Sequence, residues 1–273
     1  MDLLRAVVLG IIQGLTEFLP ISSSGHLILV PALFKWPDQG LAFDVGLHLG
    51  TLVALLLYFW RDWWVMATTG LRDLGQHSLR FRKYQPESQL LWLIALGSVP
   101  TAIVGLLFDD WFEANVRQAW LVAVALAIVG TIMLVADRKT GDCRTVKDIG
   151  MRDAVFIGLA QACALVPGVS RSGATISMAL FRDFRRSDAA RFAFLLGTPA
   201  FVGAALFKSA EMRSDMDGGV TELAVGFLVS ALVGLAVIHF LLRYLQTRNL
   251  VPFVAYRYGA AILTLVIAAV RVA

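Results

Sequence analysis

A stretch near the start of the chain and a stretch near its middle repeat one another, and each breaks an apolar helix with Pro, Ser and Gly. Gly10-Ile11-Ile12-Gln13 leads to Ile21-Ser22-Ser23-Ser24-Gly25, and Gly158-Leu159-Ala160-Gln161 leads to Val169-Ser170-Arg171-Ser172-Gly173, 148 residues apart throughout in a chain of 273. Leu49-Gly50-Thr51 and Leu196-Gly197-Thr198 repeat 147 residues apart. This register marks an internal duplication, with halves of about 1–140 and 150–273 inside one membrane domain (1–273).

The medium follows from composition. Apolar residues make up 58% of the chain and charged residues 16%, against about 25% charged in soluble domains. Mean hydropathy is +0.72. Six stretches can each cross a hydrocarbon core needing about 20 residues: Ala42–Trp60, Gln89–Phe108, Ala119–Ala136, Phe192–Ala210, Leu223–Leu242 and Pro252–Val270. Leu3–Leu19 and Ala154–Val166 are shorter, stop at Pro20 and Pro167, and resume as Leu27–Phe34 and Ile176–Phe181. Irregular backbone at membrane depth is tolerated only where protein buries it or water reaches it, so both read as re-entrant helix-loop-helix hairpins.

The expected fold is therefore an all-α polytopic integral membrane protein, six transmembrane helices plus two re-entrant hairpins. Three spans per half invert the second half relative to the first, and the hairpin loops meet near the midplane, where inverted-repeat folds place their sites.

Seventeen of the 24 Lys and Arg fall on one side, from Arg61 to Lys83, Arg138 to Arg152, Arg182 to Arg191 and Arg243 to Arg257. The positive-inside rule makes that side cytoplasmic and places both termini and the site's opening outside. The same rule explains the net charge of +4 without nucleic acid as a partner. The N-terminal apolar run lacks a cleavage site and is not read as a signal peptide. Trp60, Trp63 and Trp64 with Tyr58 read as an interfacial belt, and Gly10-x-x-x-Gly14 as a close helix contact. Cys143 and Cys163 lack metal-ligand spacing and read as structural.

Ionisable groups inside a membrane are functional candidates by default. Gln13 and Glu17, at i and i+4, share a helix face, and their oxygens suit a hard cation. Ser22-Ser23-Ser24-Gly25-His26 opens the next helix, where free N–H groups favour an anion. A serine with a nearby base is a candidate nucleophile, and His26 can take a proton near neutral pH. In the mirrored element, Arg171 offers a forked donor set suited to phosphate. Ser170, Ser172 and Thr175 add hydroxyls, and Gly173 lets the backbone approach. Blander roles stay open: Glu17 and Arg171 as a folding pair, His26 as a satisfied core group. No role falls to His48, His77 or His239.

Gln13-Gly-Leu-Thr-Glu17-Phe-Leu-Pro-Ile-Ser-Ser-Ser-Gly-His26 and Pro167-Gly-Val-Ser-Arg-Ser-Gly-Ala-Thr175 resemble the two signature motifs of the bacterial undecaprenyl-diphosphatases, the bacitracin-resistance proteins. The resemblance implies a phosphatase of the bacterial plasma membrane that converts undecaprenyl diphosphate to undecaprenyl phosphate, the lipid carrier for wall polymers. It implies Glu17, Ser23, His26 and Arg171 as catalytic positions. Ser22, Ser24, Gly25, Ser170, Ser172, Gly173 and Thr175 are then the phosphate cradle. It implies Mg²⁺ or Ca²⁺ near Gln13 and Glu17; the family pattern has Glu or Gln where this chain has Gln13. The partners are a polyprenyl diphosphate and the bilayer, with a homodimer allowed. Attack by Ser23 and attack by water both remain open. The alternative class is a secondary transporter or flippase of an anionic lipid, which shares inverted repeats with broken helices.

Overall fold

The computed structural model describes residues 2–37, 39–78, 80–116, 118–212 and 219–272. Among the described residues there are eleven α-helices: α1 Leu3–Phe18, α2 Ser23–Phe34, α3 Leu41–Tyr58, α4 Trp60–His77, α5 Pro86–Asn115, α6 Ala119–Lys139, α7 Met151–Cys163, α8 Arg171–Phe181, α9 Arg186–Met212, α10 Val220–Tyr244 and α11 Val251–Val272. Each stretch expected to span lies almost wholly within one helix. Length and apolar composition qualify four of them, Pro86–Phe108, Ala119–Lys139, Arg186–Phe207 and Val220–Tyr244. The pair α3 and α4, bent by 69°, makes a fifth if taken as one span, and the described apolar part of α11, Val251–Ile267, is shorter. Ile103, Leu106, Ile128, Leu228, Leu232 and Ile262 are exposed on the perimeter helices. So wide an apolar surface would associate in water and suits lipid. The chain is a polytopic membrane protein.

The helix breaks have local causes. A residue before proline is pushed out of the α region; Leu19, before Pro20, is extended at φ −64°, ψ 140°, and α1 ends at Phe18. The helices after the breaks begin behind Ser22 (φ 77°) and Ser170 (φ 72°). These equivalent serines share a backbone conformation that L-residues avoid, at a cost of about 1–3 kcal/mol each. Their hydroxyls pair alike, Ser22 with Ser24 at 3.3 Å and Ser170 with Ser172 at 3.2 Å.

The packing is crosswise: α1 lies along α10, and α7 lies along α5. Close approach requires glycine at both seams. A Cβ on Gly10 would sit 2.8 Å from the Gly226 carbonyl oxygen, and one on Gly158 would sit 2.1 Å from that of Gly97. The close contact expected of Gly10 and Gly14 is thus made with α10. Behind the breaks lies an aromatic core in which the rings of Phe18 and Phe194 meet edge-to-face at 5.5 Å.

Buried acids anchor one end of the bundle. Asp153, at the start of α7, accepts hydrogen bonds from Arg144 Nη2 at 2.6 Å and from Arg182 Nε, just past α8, at 2.7 Å. Asp137 accepts from Arg186 Nε at 2.7 Å. Burial would push the Asp153 carboxyl up, but hydrogen bonds from Arg144, the Gly150 N–H and Arg182 outweigh it and hold the group below the ordinary carboxylate value. A depressed carboxylate contributes stability that is fully present above the unfolded-state value, near 4, and is lost as pH falls through the folded-state value. The thermal midpoint in detergent should therefore hold from neutral pH to about pH 5 and drop below about pH 4. Asp153→Asn should flatten part of that acid limb, and an unchanged limb would contradict the assignment.

Three features depart from the sequence reading. Arg257, counted among cytoplasmic loop residues, is 0% exposed inside the helix bundle; removing it leaves the charge bias in place. Trp63 is turned inward against the core, so only Trp60 and Trp64 of the expected belt are exposed. The segment after α3 continues as α4, a helix the sequence reading did not single out. Cys143 and Cys163 are free and exposed.

Candidate active site

A cavity of about 850 Å³ lies where the two breaks meet. Its polar wall comes from Glu17 at the end of α1, Ser22, Ser23 and Ser24 at the start of α2, Asp44 and His48 on α3, Ser98 and Thr101 on α5, Gln161 on α7, and Ser170 and Arg171 at the start of α8. Its apolar wall includes Leu27, Ile28, Val45 and Leu49 and runs past α5 and α9 to the exposed Leu106, Leu206 and Phe207.

Glu17 is the hub. Its Oε2 accepts from Ser23 Oγ at 2.6 Å and from Gln13 Nε2 at 2.9 Å. Its Oε1 accepts from Arg171 Nη2 at 3.3 Å. The i, i+4 spacing of Gln13 and Glu17 produces the face read from the sequence. The cross-helix partners come from the two breaks, which turn the starts of α2 and α8 toward the end of α1. His48 Nε2 stands 3.7 Å from Glu17 Oε2.

Arg171 is held without being used up. Its guanidinium carbon lies 3.7 Å from the centre of the Phe201 ring, a cation–π contact. Its Nη1 is buried with no hydrogen-bond partner, although buried donors are ordinarily satisfied. Gly197 makes room for it, since a Cβ there would lie 2.1 Å from Nη1. The Leu-Gly-Thr repeat thus has a physical use in the second half. Arg171 itself lines the cavity beside the serine hydroxyls, and a forked cation there suits an oxyanion.

The sequence-derived residues divide into two sets. Glu17, Ser22, Ser23, Ser24, Ser170 and Arg171 line the cavity. The others stand behind it. Ser172 Oγ donates to the Leu19 carbonyl at 3.2 Å, tying the second loop to the first. Thr175 Oγ1 donates to the Arg171 carbonyl at 2.7 Å, and the Gly173 N–H donates to Ser170 Oγ at 3.1 Å. Gly25 packs toward Val122. His26 Nδ1 meets the Ser22 carbonyl at 2.6 Å and Nε2 meets Tyr256 Oη at 2.7 Å. A carbonyl only accepts, so Nδ1 carries the proton and the neutral ring's Nε2 accepts from Tyr256. Sequence reasoning missed His48, Asp44, Phe201 and Gly197. The Leu47-His48-Leu49-Gly50-Thr51 echo of the Gly197 region was the available signal for His48.

Gln13 is buried, and its Oε1 has no partner. An unsatisfied amide oxygen beside a carboxylate suits a hard cation. Among the described residues no three His, Cys, Asp or Glu gather into a metal cage. Gln13 and Glu17 are therefore the oxygen donors present here for such a cation, and the equivalent Gln161 likewise has an unpartnered Oε1.

Relatives match this chain over nearly its whole length. The family model for the bacitracin resistance protein BacA matches residues 6–263. A Nocardioides protein named undecaprenyl-diphosphatase is 44% identical over 272 residues, covering 99% of this chain and 98% of its own length. Its namesakes from Desulforudis audaxviator and Rubrobacter xylanophilus are 42% and 46% identical, covering 99% and 96% of this chain and 100% and 97% of their own. With a family model spanning nearly the whole chain and relatives this close over their full length, the chain belongs to the bacitracin resistance protein BacA family.

Proposed function

We propose that this chain hydrolyses undecaprenyl diphosphate to undecaprenyl phosphate and inorganic phosphate, recycling the lipid carrier of cell-wall synthesis. The observation that carries the reading is Ser23 donating to Glu17 at 2.6 Å while Arg171 donates to the same carboxylate at 3.3 Å. A nucleophile, its base and an anion-binding cation thus meet at one carboxylate.

The polyprenyl tail follows the apolar wall, and the diphosphate reaches the polar end. The Arg171 guanidinium binds an oxygen of the terminal phosphoryl group, and the hydroxyls of Ser22, Ser24 and Ser170 orient it. Ser23 Oγ attacks the terminal phosphorus as its proton passes to Glu17 Oε2. The bond from phosphorus to the bridging oxygen breaks, and undecaprenyl phosphate leaves. Water then attacks the phosphoserine phosphorus, the P–Oγ bond breaks as the proton on Glu17 returns to Ser23 Oγ, and inorganic phosphate leaves. His26, fixed between Ser22 and Tyr256, holds the Ser22 turn rather than taking the Ser23 proton. A cation on Gln13 and Glu17 would supply charge neutralisation for the phosphates, the main need in phosphoryl transfer.

Several observations support two inverted repeats with re-entrant hairpins: the repeated motifs, the paired positive-φ serines and the crosswise packing. Arg5 at the start of α1 lies over the ring of Trp36, just past α2, at 5.5 Å. Arg182 past α8 likewise bonds Asp153 at the start of α7. Each short helix pair returns to the end it came from. The charge bias of the loops then puts the termini and the cavity mouth outside.

Detergent-solubilised protein given undecaprenyl diphosphate should release phosphate with no sealed compartment. EDTA should abolish release, and Mg²⁺ or Ca²⁺ should restore it. No release in detergent, with vesicle uptake of the lipid, would favour a transporter; full activity in EDTA would remove the metal.

A further inference from the structure

We infer that Arg257 is a positioning residue, a fork that locks the loops of both halves into the register in which Ser23 and Arg171 meet at Glu17. The inference rests on the phosphatase reading above. Arg257 sits on α11 and is 0% exposed. Every guanidinium nitrogen donates to backbone. Nη1 reaches the Pro20 carbonyl in the first loop at 3.2 Å. Nη2 reaches the Gly168 and Val169 carbonyls in the second at 2.9 and 3.1 Å. Nε and Nη2 also reach the Leu126 and Ala125 carbonyls of α6 at 3.1 and 3.4 Å.

No carboxylate among the described residues pairs with this cation. An ionisable group at membrane depth without a counter-ion is too costly to be incidental. Its contacts explain its presence. Pro20 precedes Ser22 by two residues, and Val169 immediately precedes Ser170, the two serines held at positive φ. Such conformations persist only where the surroundings over-determine them. The planar fork of arginine satisfies three separate backbone segments at once, which the compact ammonium of lysine cannot do. One side chain from the last helix thereby couples two loops whose equivalent residues lie 148 apart in the chain.

The test compares Arg257→Lys with the parent, each full-length in detergent, measuring melting temperature, kcat and KM for undecaprenyl diphosphate. At matched amounts of folded protein, kcat should fall about 10- to 100-fold, the size expected of a misplacement near 1 Å, with KM changed less than about threefold. A residue needed only for folding would lower the folded yield and leave kcat per folded molecule intact. If Arg257→Lys does not fold, Ser172→Ala removes the other loop-to-loop hydrogen bond and should lower kcat about three- to tenfold. A parent-like kcat in Arg257→Lys, or in Ser172→Ala where that substitute is needed, overturns the inference while an active parent preserves the phosphatase reading. A parent that releases no phosphate overturns both.

Discussion

Arg171→Ala should lower kcat/KM for undecaprenyl diphosphate by about 10³- to 10⁵-fold, the range seen when an arginine that neutralises a transferring phosphoryl group is removed. The geometry explains so large a value. The guanidinium lines the cavity beside Ser22, Ser23 and Ser170, and its one carboxylate contact, Nη2 to Glu17 at 3.3 Å, is long, so its charge is available to a phosphoryl group as charge develops there. Arg171→Lys should recover only a small part of the loss, because an ammonium keeps the charge but not the fork or the stacking on Phe201. Gly197→Ala should act in the same direction without touching the charge, since its Cβ would lie 2.1 Å from Nη1. Steady-state phosphate release from equal amounts of folded protein reads all three. Substantial activity in Arg171→Ala would contradict the site.

Ser23→Ala should reduce kcat by at least about 10³-fold, as expected when a nucleophile is deleted and only binding and electrostatic groups remain. The variant should still fold and bind the lipid. Ser23 is partly exposed to the cavity, and its one hydrogen bond from the hydroxyl is to Glu17. Glu17→Gln should fall by about 10²- to 10⁴-fold, the usual value of a positioned general base, and should raise the metal concentration needed for activity. His26→Ala should cost less than either, because His26 lies outside the cavity wall and acts through the Ser22 turn. A His26→Ala loss equal to that of Ser23→Ala would reverse the assignment of the proton to Glu17.

The sequence made the local chemistry legible and hid the assembled contacts. The i, i+4 face of Gln13 and Glu17, the Pro-directed break at Leu19 and the hydroxyl-rich helix starts all depend on neighbours within a few residues. Each sits where that spacing put it, whereas α7 stops at Cys163, short of the Val166 expected from Pro167. The repeat also announced that equivalent backbones would recur, and Ser22 and Ser170 share their unusual φ.

What stayed hidden depends on helices meeting in space. His48 reaches Glu17 across the α1–α3 seam, Phe201 arrives from α9, and Tyr256 holds His26 from α11. Arg257 was misread for a different reason. Counted with loop charges, it lies inside a stretch already assigned to a span, and that position alone should have marked it as an intramembrane cation. The bend after α3 was missed because no proline or glycine marks the Phe59–Trp60 junction, where the Phe59 ring is buried in the core.

The central claim, that Ser23 attacks phosphorus and forms a phosphoserine, is tested most directly by the stereochemistry of transfer. Undecaprenyl diphosphate made chiral at the terminal phosphorus with sulfur and oxygen isotopes would be turned over, and the configuration of the released thiophosphate determined. Two successive in-line displacements give net retention, which this account predicts. Net inversion would mean a single attack by water and would contradict it.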